Sequence, residues 1–113
     1  MTSPAFDRGL ELVDKLVSAG IVATVDPRSA TPPCVLVGPP TKRYDVGCGF
    51  TAEWQLIALV PGPGNADAFK ALDALETAVA EVLPVTRSTL TQYSLTPDNP
   101  SLPAYRIEYT EGV

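Results

Sequence analysis

Pro32-Pro33-Cys34-Val35-Leu36-Val37-Gly38-Pro39-Pro40, then Thr41-Lys42-Arg43-Tyr44-Asp45, then Phe50-Thr51-Ala52-Glu53-Trp54-Gln55-Leu56-Ile57-Ala58-Leu59-Val60: this stretch decides the fold. Proline has no N–H to give a sheet ladder, so the two proline pairs mark the ends of a short apolar strand, 34–38. The polar gap 41–49 is too long for a tight hairpin and too polar for a core, and it reads as a projecting loop. The return strand spans roughly 48–60. In it Phe50, Ala52, Trp54, Leu56, Ala58 and Val60 alternate with Thr51, Glu53 and Gln55, which predicts one buried face. At Ile57 and Leu59 the second face turns apolar as well, so that end is expected to be buried on both sides. A short scaffold strand, a loop and a long return strand suggest a module built to touch another molecule.

Upstream, Ser3-Pro4 is a helix start, with Ser as N-cap and Pro at the first helical position. Phe6, Leu10, Val13 and Val17 recur at helical spacing, and Leu12 and Leu16 widen that stripe. Glu11 and Lys15 form an i,i+4 pair on the wet face, and Gly20 stands where a C′ glycine ends a helix. The spacing predicts a helix over 3–19. Ile21-Val22-Ala23-Thr24-Val25 follows as the first strand and ends at Asp26-Pro27.

Downstream, Pro61-Gly62-Pro63-Gly64 breaks the return strand, and Asn65 caps a second helix. Its predicted apolar face is Phe69, Leu72, Leu75, Val79, Val82 and Leu83; Lys70, Asp73, Thr77 and Glu81 form the other, and Pro84 stops it. A strand over about 85–96, rich in Thr, Ser and Gln, precedes a last strand over 104–110 with Tyr105, Ile107 and Tyr109 facing in. The polar run Thr86–Gln92 leaves one sheet face solvated or pressed against a partner. The order is α-β-β-β-α-β-β in a single domain over 1–113. This is an α+β class: a mostly antiparallel sheet with two amphipathic helices packed on it.

With 113 residues, 45% of them hydrophobic, the chain can bury a core of its own. Of its 12 prolines, all but Pro4 fall between the periodic segments and punctuate them. Eight basic against 13 acidic residues leave a net charge of −5, which argues against gripping nucleic acid through its phosphates. The same charge suits a conduit through which DNA passes without sticking. Histidine is absent, which removes the commonest general base, the usual triads and most zinc and iron sites.

The carboxylates Asp7, Glu11, Asp73, Glu76 and Glu81 sit on polar helix faces, where solvated charge is the ordinary reading. Cys34 lies in the apolar strand and Cys48 between Gly47 and Gly49; a disulfide needs their strands to pair. Cys48 has no histidine or clear basic neighbour to make it a nucleophile. Pro61-Gly-Pro-Gly lacks the lysine of a phosphate loop and reads as a turn. No catalytic residue, metal site or cofactor is expected. The N-terminus lacks the regions of a signal peptide and no apolar run approaches a membrane span, so synthesis and assembly in a cytoplasm are expected. Lys42-Arg43 is the only adjacent basic pair, which makes Lys42, Arg43, Tyr44 and Asp45 the candidate protein-contact loop. Trp54 and Tyr93 read as sheet-packing residues or interface anchors.

The capped first helix, the Pro-rich approach to Pro33-Cys34-Val35-Leu36-Val37-Gly38, the loop, the Trp54-bearing strand, the second helix and the closing Tyr105-Arg106-Ile107-Glu108-Tyr109 form a layout. It resembles the tail terminator proteins of long-tailed bacteriophages, the lambda type, in particular small versions from phages of actinobacteria. The resemblance covers nearly the whole chain and rests on layout, size and composition. It implies a homohexameric ring at the head-proximal end of the tail tube. That ring stops tube elongation and offers a joining surface to the head-tail connector or stopper protein. Genomic DNA passes its lumen without specific binding. It also implies a virion location after assembly in the host cytoplasm, and no catalysis. Two other readings stay open: another head-tail connector (a stopper or head-completion protein), and a small-ligand or peptide-binding module using the half-exposed sheet.

Overall fold

In the computed structural model the described residues are 4–26, 28, 30–44, 50–61, 66–94 and 102–112. They form two helices on one side of a six-stranded, mostly antiparallel sheet, in the α+β class that the sequence predicts. The elements are α1 (Pro4–Ser18), β1 (Ala23–Thr24), β2 (Cys34–Val37), β3 (Thr41–Tyr44), β4 (Phe50–Leu59), α2 (Ala66–Val82), β5 (Arg87–Tyr93) and β6 (Leu102–Gly112). The strand order is β1-β2-β4-β6-β5, with β3 also paired to β4. β1 pairs parallel to β2 and every other pair is antiparallel.

Helix α1 ends as its glycine dictates. Gly20 has φ of 86°, its N–H bonds the Val17 carbonyl at 2.9 Å, and the Ile21 N–H reaches back to Leu16 at 3.0 Å. This is the Schellman closure, which uses two of the carbonyls that a helix end leaves open. The expected caps Ser3 and Asn65 lie outside the described residues, as do Gly62, Pro63 and Gly64. The first strand contracts to Ala23–Thr24 because only those residues pair with Val35 and Leu36. Glu11 does not need Lys15: its carboxylate accepts from Arg8 at 2.9 Å.

The segment 41–44, expected to be loop, is a strand. Val37 stands opposite Leu56 and Thr41 opposite Glu53, so three residues, Gly38, Pro39 and Pro40, face two, Trp54 and Gln55. The proline pair ends β2 just after Val37 as expected, but the chain does not leave the sheet: it crosses a bulge of one extra residue, after which β3 continues along the same edge of β4. The extra residue inverts the alternation. Val35 and Val37 face the helices from β2, while on β3 the helix side falls to Lys42 and Tyr44, opposite Ala52 and Phe50.

The main core lies between sheet and helices, around Leu12, Leu16, Trp54, Leu56, Val79 and Ile107. The expected alternation of β4 holds, and its far end is apolar on both faces. There Leu59 joins Cys34, Leu36 and Ala104 in a second, smaller cluster on the outer face, with Ala30 and Tyr93 against it. Elsewhere that outer face is polar, with Arg43, Glu53, Gln55, Arg87, Arg106 and Glu108. Tyr105, Ile107 and Tyr109 face the core as expected, and Pro103 falls inside the last strand as its second residue.

Helix α1 is rotated relative to the sequence expectation, while α2 buries its expected face, Leu72, Leu75, Val79, Val82 and Leu83, except at Phe69. On α1 the buried side is Gly9, Leu12 and Leu16, while Phe6, Leu10 and Val17 are exposed. On α2 Ala68 replaces Phe69 at the core, and Phe69 is 69% exposed. A small Ala beneath the first turn lets the helix approach the sheet more closely than a phenyl ring permits.

Candidate functional site

Between the first turns of α1 and the bulge lies an open cleft of about 530 Å³. Ala5, Phe6 and Gly9 form one wall, Val37 to Pro40 the other, with Val25, Lys42 and Trp54 between them. Each part has a local cause. The bulge turns Pro39 and Pro40 away from regular pairing, which opens the wall. Gly9 has no side chain, so the Trp54 ring sits beneath it; a Cβ built there is 3.7 Å from the ring. Among the described residues Lys42 is the only charged one on the lining, brought to the helix side by the inverted alternation.

Lys42 Nζ stands 5.0 Å from the centre of the Phe50 ring, a cation–π contact, and the Tyr44 ring is tilted against Phe50 at 5.7 Å. At an exposed site such a contact contributes about 0.5–1 kcal/mol. Arg43 points to the outer face, where its guanidinium is 3.9 Å from Glu53, both exposed. Of the four candidate contact residues, Lys42 and Tyr44 thus share a surface with the cleft, Arg43 is on the opposite face, and Asp45 lies outside the described residues. They sit on a paired strand, not on a free loop.

Beside the cleft is a polar clamp that the sequence did not suggest. Arg8 donates from Nε to Glu111 at 2.7 Å and from a terminal nitrogen to the other carboxylate oxygen at 3.0 Å. The Tyr109 hydroxyl also donates to Glu111. Burial alone pushes the Glu111 carboxyl up, but the Arg8 and Tyr109 bonds outweigh it and hold the group below its ordinary range. Burial, then the bond to Glu111, pushes the Tyr109 hydroxyl up. Buried Trp54 has no hydrogen bond of good geometry at Nε1, yet its N–H lies near enough to Glu111 to help keep that carboxylate ionised. The groups form a structural brace in which both carboxylate oxygens are taken up by an arginine and a phenol.

Cys34 is a free, buried thiol whose pKa burial raises, which suits packing and not nucleophilic chemistry. Cys48, its only possible partner in the chain, lies outside the described residues. No cluster of three or more metal-ligating side chains occurs among the described residues. Among the described residues no helix is long and apolar enough to cross a membrane. The cleft was missed because its walls come from distant segments. Its one sequence signal was Gly9, an isolated glycine inside a helical pattern, which commonly marks close packing.

No protein-family model, no curated protein and no solved structure matches the chain.

Proposed function

We propose that this chain is a structural subunit of the tail-terminator type: a ring that caps a phage tail tube, stops its elongation and presents a joining surface to the head-tail connector. One observation carries the reading. Helix α1 is apolar over two adjacent stripes, and the described residues cover only one, leaving Phe6, Leu10 and Val17 exposed among them, with Val22 exposed just beyond the helix. A helix apolar on two sides packs against two partners, and the monomer supplies one. Lys42 and Tyr44 on β3 offer a second, unlike contact surface, as a head-to-tail ring requires. The acidic excess is concentrated on α2, where Asp67, Asp73, Glu76 and Glu81 face one Lys70. We assign its outer side to a lumen that DNA crosses without adhering.

The test is assembly. Purified chain, alone and mixed with isolated tail tubes, is sized by light scattering and imaged by electron microscopy. A ring, either free or seated at one tube end, is expected. Phe6→Glu with Val17→Glu should abolish it, and charge reversal at Lys42 and Arg43 should weaken it. A chain of 11.9 kDa that stays monomeric and never joins a tube sinks the proposal.

The cleft alone favours a second reading, a binding module for a small apolar ligand with one anionic group facing Lys42. A rise in melting temperature with fatty or aromatic carboxylates, absent in Lys42→Ala, would support it. No shift with any of them rules it out.

A further inference from the structure

Strand β5 is an open edge of the sheet, and its backbone phase can be worked out. The Val60 N–H bonds the Pro103 carbonyl, so odd-numbered β6 residues turn their backbone groups toward β4 and even-numbered ones toward β5. The Thr86 N–H, bonded to the Glu108 carbonyl, agrees with this phase. Arg87, Thr89, Thr91 and Tyr93 stand opposite Glu108, Arg106, Ala104 and Leu102, and so bond to β6. Ser88, Leu90 and Gln92 therefore turn their N–H and C=O groups outward; there the Thr91 hydroxyl makes a long 3.5 Å approach to the Gln92 carbonyl.

Among the described residues nothing protects the edge from Ser88 to Tyr93: it contains no proline, no bulge and no charge, the charge Arg87 and the irregular pairing of Thr86 and Arg87 against Glu108 both lying at the strand's start. α2 packs over β4 and β6 and leaves the helix side of β5 uncovered, so Leu90 is 69% exposed. Phe69 is exposed nearby: Glu76, two turns after it, accepts a bond from Ser88 at 2.9 Å, and β5 runs back along α2 from that point.

We propose that β5 pairs with β5 of a second copy of this chain, antiparallel about a two-fold axis at Leu90. In that register Leu90 meets Leu90, Ser88 meets Gln92, Thr89 meets Thr91 and Arg87 meets Tyr93. No like charges face each other, and the Thr pairs and the central Leu pair are favourable cross-strand neighbours. All three outward residues find reciprocal backbone partners, because Leu90–Leu90 and Ser88–Gln92 fall on the hydrogen-bonded positions of the new ladder. Shifting the register by one residue would put outward-facing backbone groups opposite inward-facing ones. The two copies of α2 then flank a trough floored by both Leu90 side chains, with a Phe69 on each bank. The contact is isologous and closes on itself. It is independent of the ring reading, which uses head-to-tail surfaces on α1 and β3.

Sedimentation and light scattering over a dilution series test the pairing, together with amide exchange. Wild-type mass should fall on dilution from twice 11.9 kDa to 11.9 kDa. The Leu90 and Gln92 amides should be protected only in the concentrated sample, and those of Thr89 and Thr91 in both. Leu90→Lys sets two ammonium groups against each other across the axis. It should leave a folded monomer, while Leu10→Lys, an equal charge change on α1, should still pair. A wild-type chain that stays monomeric at its highest soluble concentration overturns the proposal, as does a Leu90→Lys variant that associates like wild type. Where wild type forms rings, Leu90→Lys should remove only their concentration-dependent pairing; pairing that persists in Leu90→Lys rings overturns edge pairing while upholding the ring. A dimer that Leu90→Lys dissolves and that never enlarges on tubes does the reverse.

Discussion

Arg8, in the second turn of α1, grips Glu111, next to last in β6, through two hydrogen bonds of 2.7 and 3.0 Å across 103 positions of sequence. The pair ties the first element to the last, with side-chain exposures of 31% and 12%. Removing Arg8 leaves a mostly buried carboxylate without its cation. Arg8→Met is expected to lower unfolding free energy by about 1–3 kcal/mol in urea titration. An unchanged midpoint would show that the pair is neutral.

The same pair sets an acid dependence. Glu111 titrates below its ordinary 4.5 in the folded chain, so its contribution is complete above that value and is lost as pH falls through the lower folded value. Between about pH 6 and about pH 3 wild type should lose more stability than Glu111→Gln, which has no proton to take up there. Parallel pH curves for the two proteins would contradict this assignment.

Gly9 is held by proximity, not by backbone need. A methyl group there would meet Trp54 at 3.7 Å and Val25 at 3.9 Å, both ordinary contacts. Gly9→Ala should therefore stabilise by about 0.5–1 kcal/mol through helix propensity and unfolded-state entropy. Gly9→Leu overfills the space and should cost about 1–3 kcal/mol. The emission of Trp54, the single tryptophan, reports both transitions. A destabilised Gly9→Ala would mean that the ring and the helix cannot yield.

Phe6 and Val17 are each more than half exposed, so the monomer gains little from them. Phe6→Glu and Val17→Glu should shift monomer stability by less than about 0.5 kcal/mol, as surface changes usually do. Loss of assembly without loss of stability is the expected pair of results. A large stability loss would mean that these side chains serve the fold.

Cys34 is buried and its thiol is pushed up by that burial. In a Cys48→Ser background, a maleimide at neutral pH should label the native chain only as fast as it unfolds, and at once in concentrated urea. Rapid native labelling would show that the outer-face cluster opens.

Much of the fold was legible because it is written in short periods. The α1 helix with its Gly20 closure, the alternation from Phe50 to Val60 and the change to two-sided burial at Ile57 and Leu59 depend on neighbours a few positions away. The lack of histidine needs only a count. Three other features belong to tertiary structure. Periodicity shows that α1 has a broad apolar arc, but whether Leu12 and Leu16 or Phe6, Leu10 and Val17 face inward depends on what the helix lies against. The face that Lys42 and Tyr44 occupy turns on one extra residue at Gly38-Pro39-Pro40, and a bulge exists only relative to the two residues of β4 opposite it. The Arg8–Glu111 clamp joins the chain's two ends, and no local pattern marks either residue for the other. By itself the sequence determined both helices, the strands β2, β4, β5 and β6 and the amphipathic character of α1 and β4, because side-chain period is a local property of the backbone. Which stripe is buried, which face the contact residues share and what closes the cleft were decided by packing, because those choices are made between segments that meet only in the folded chain.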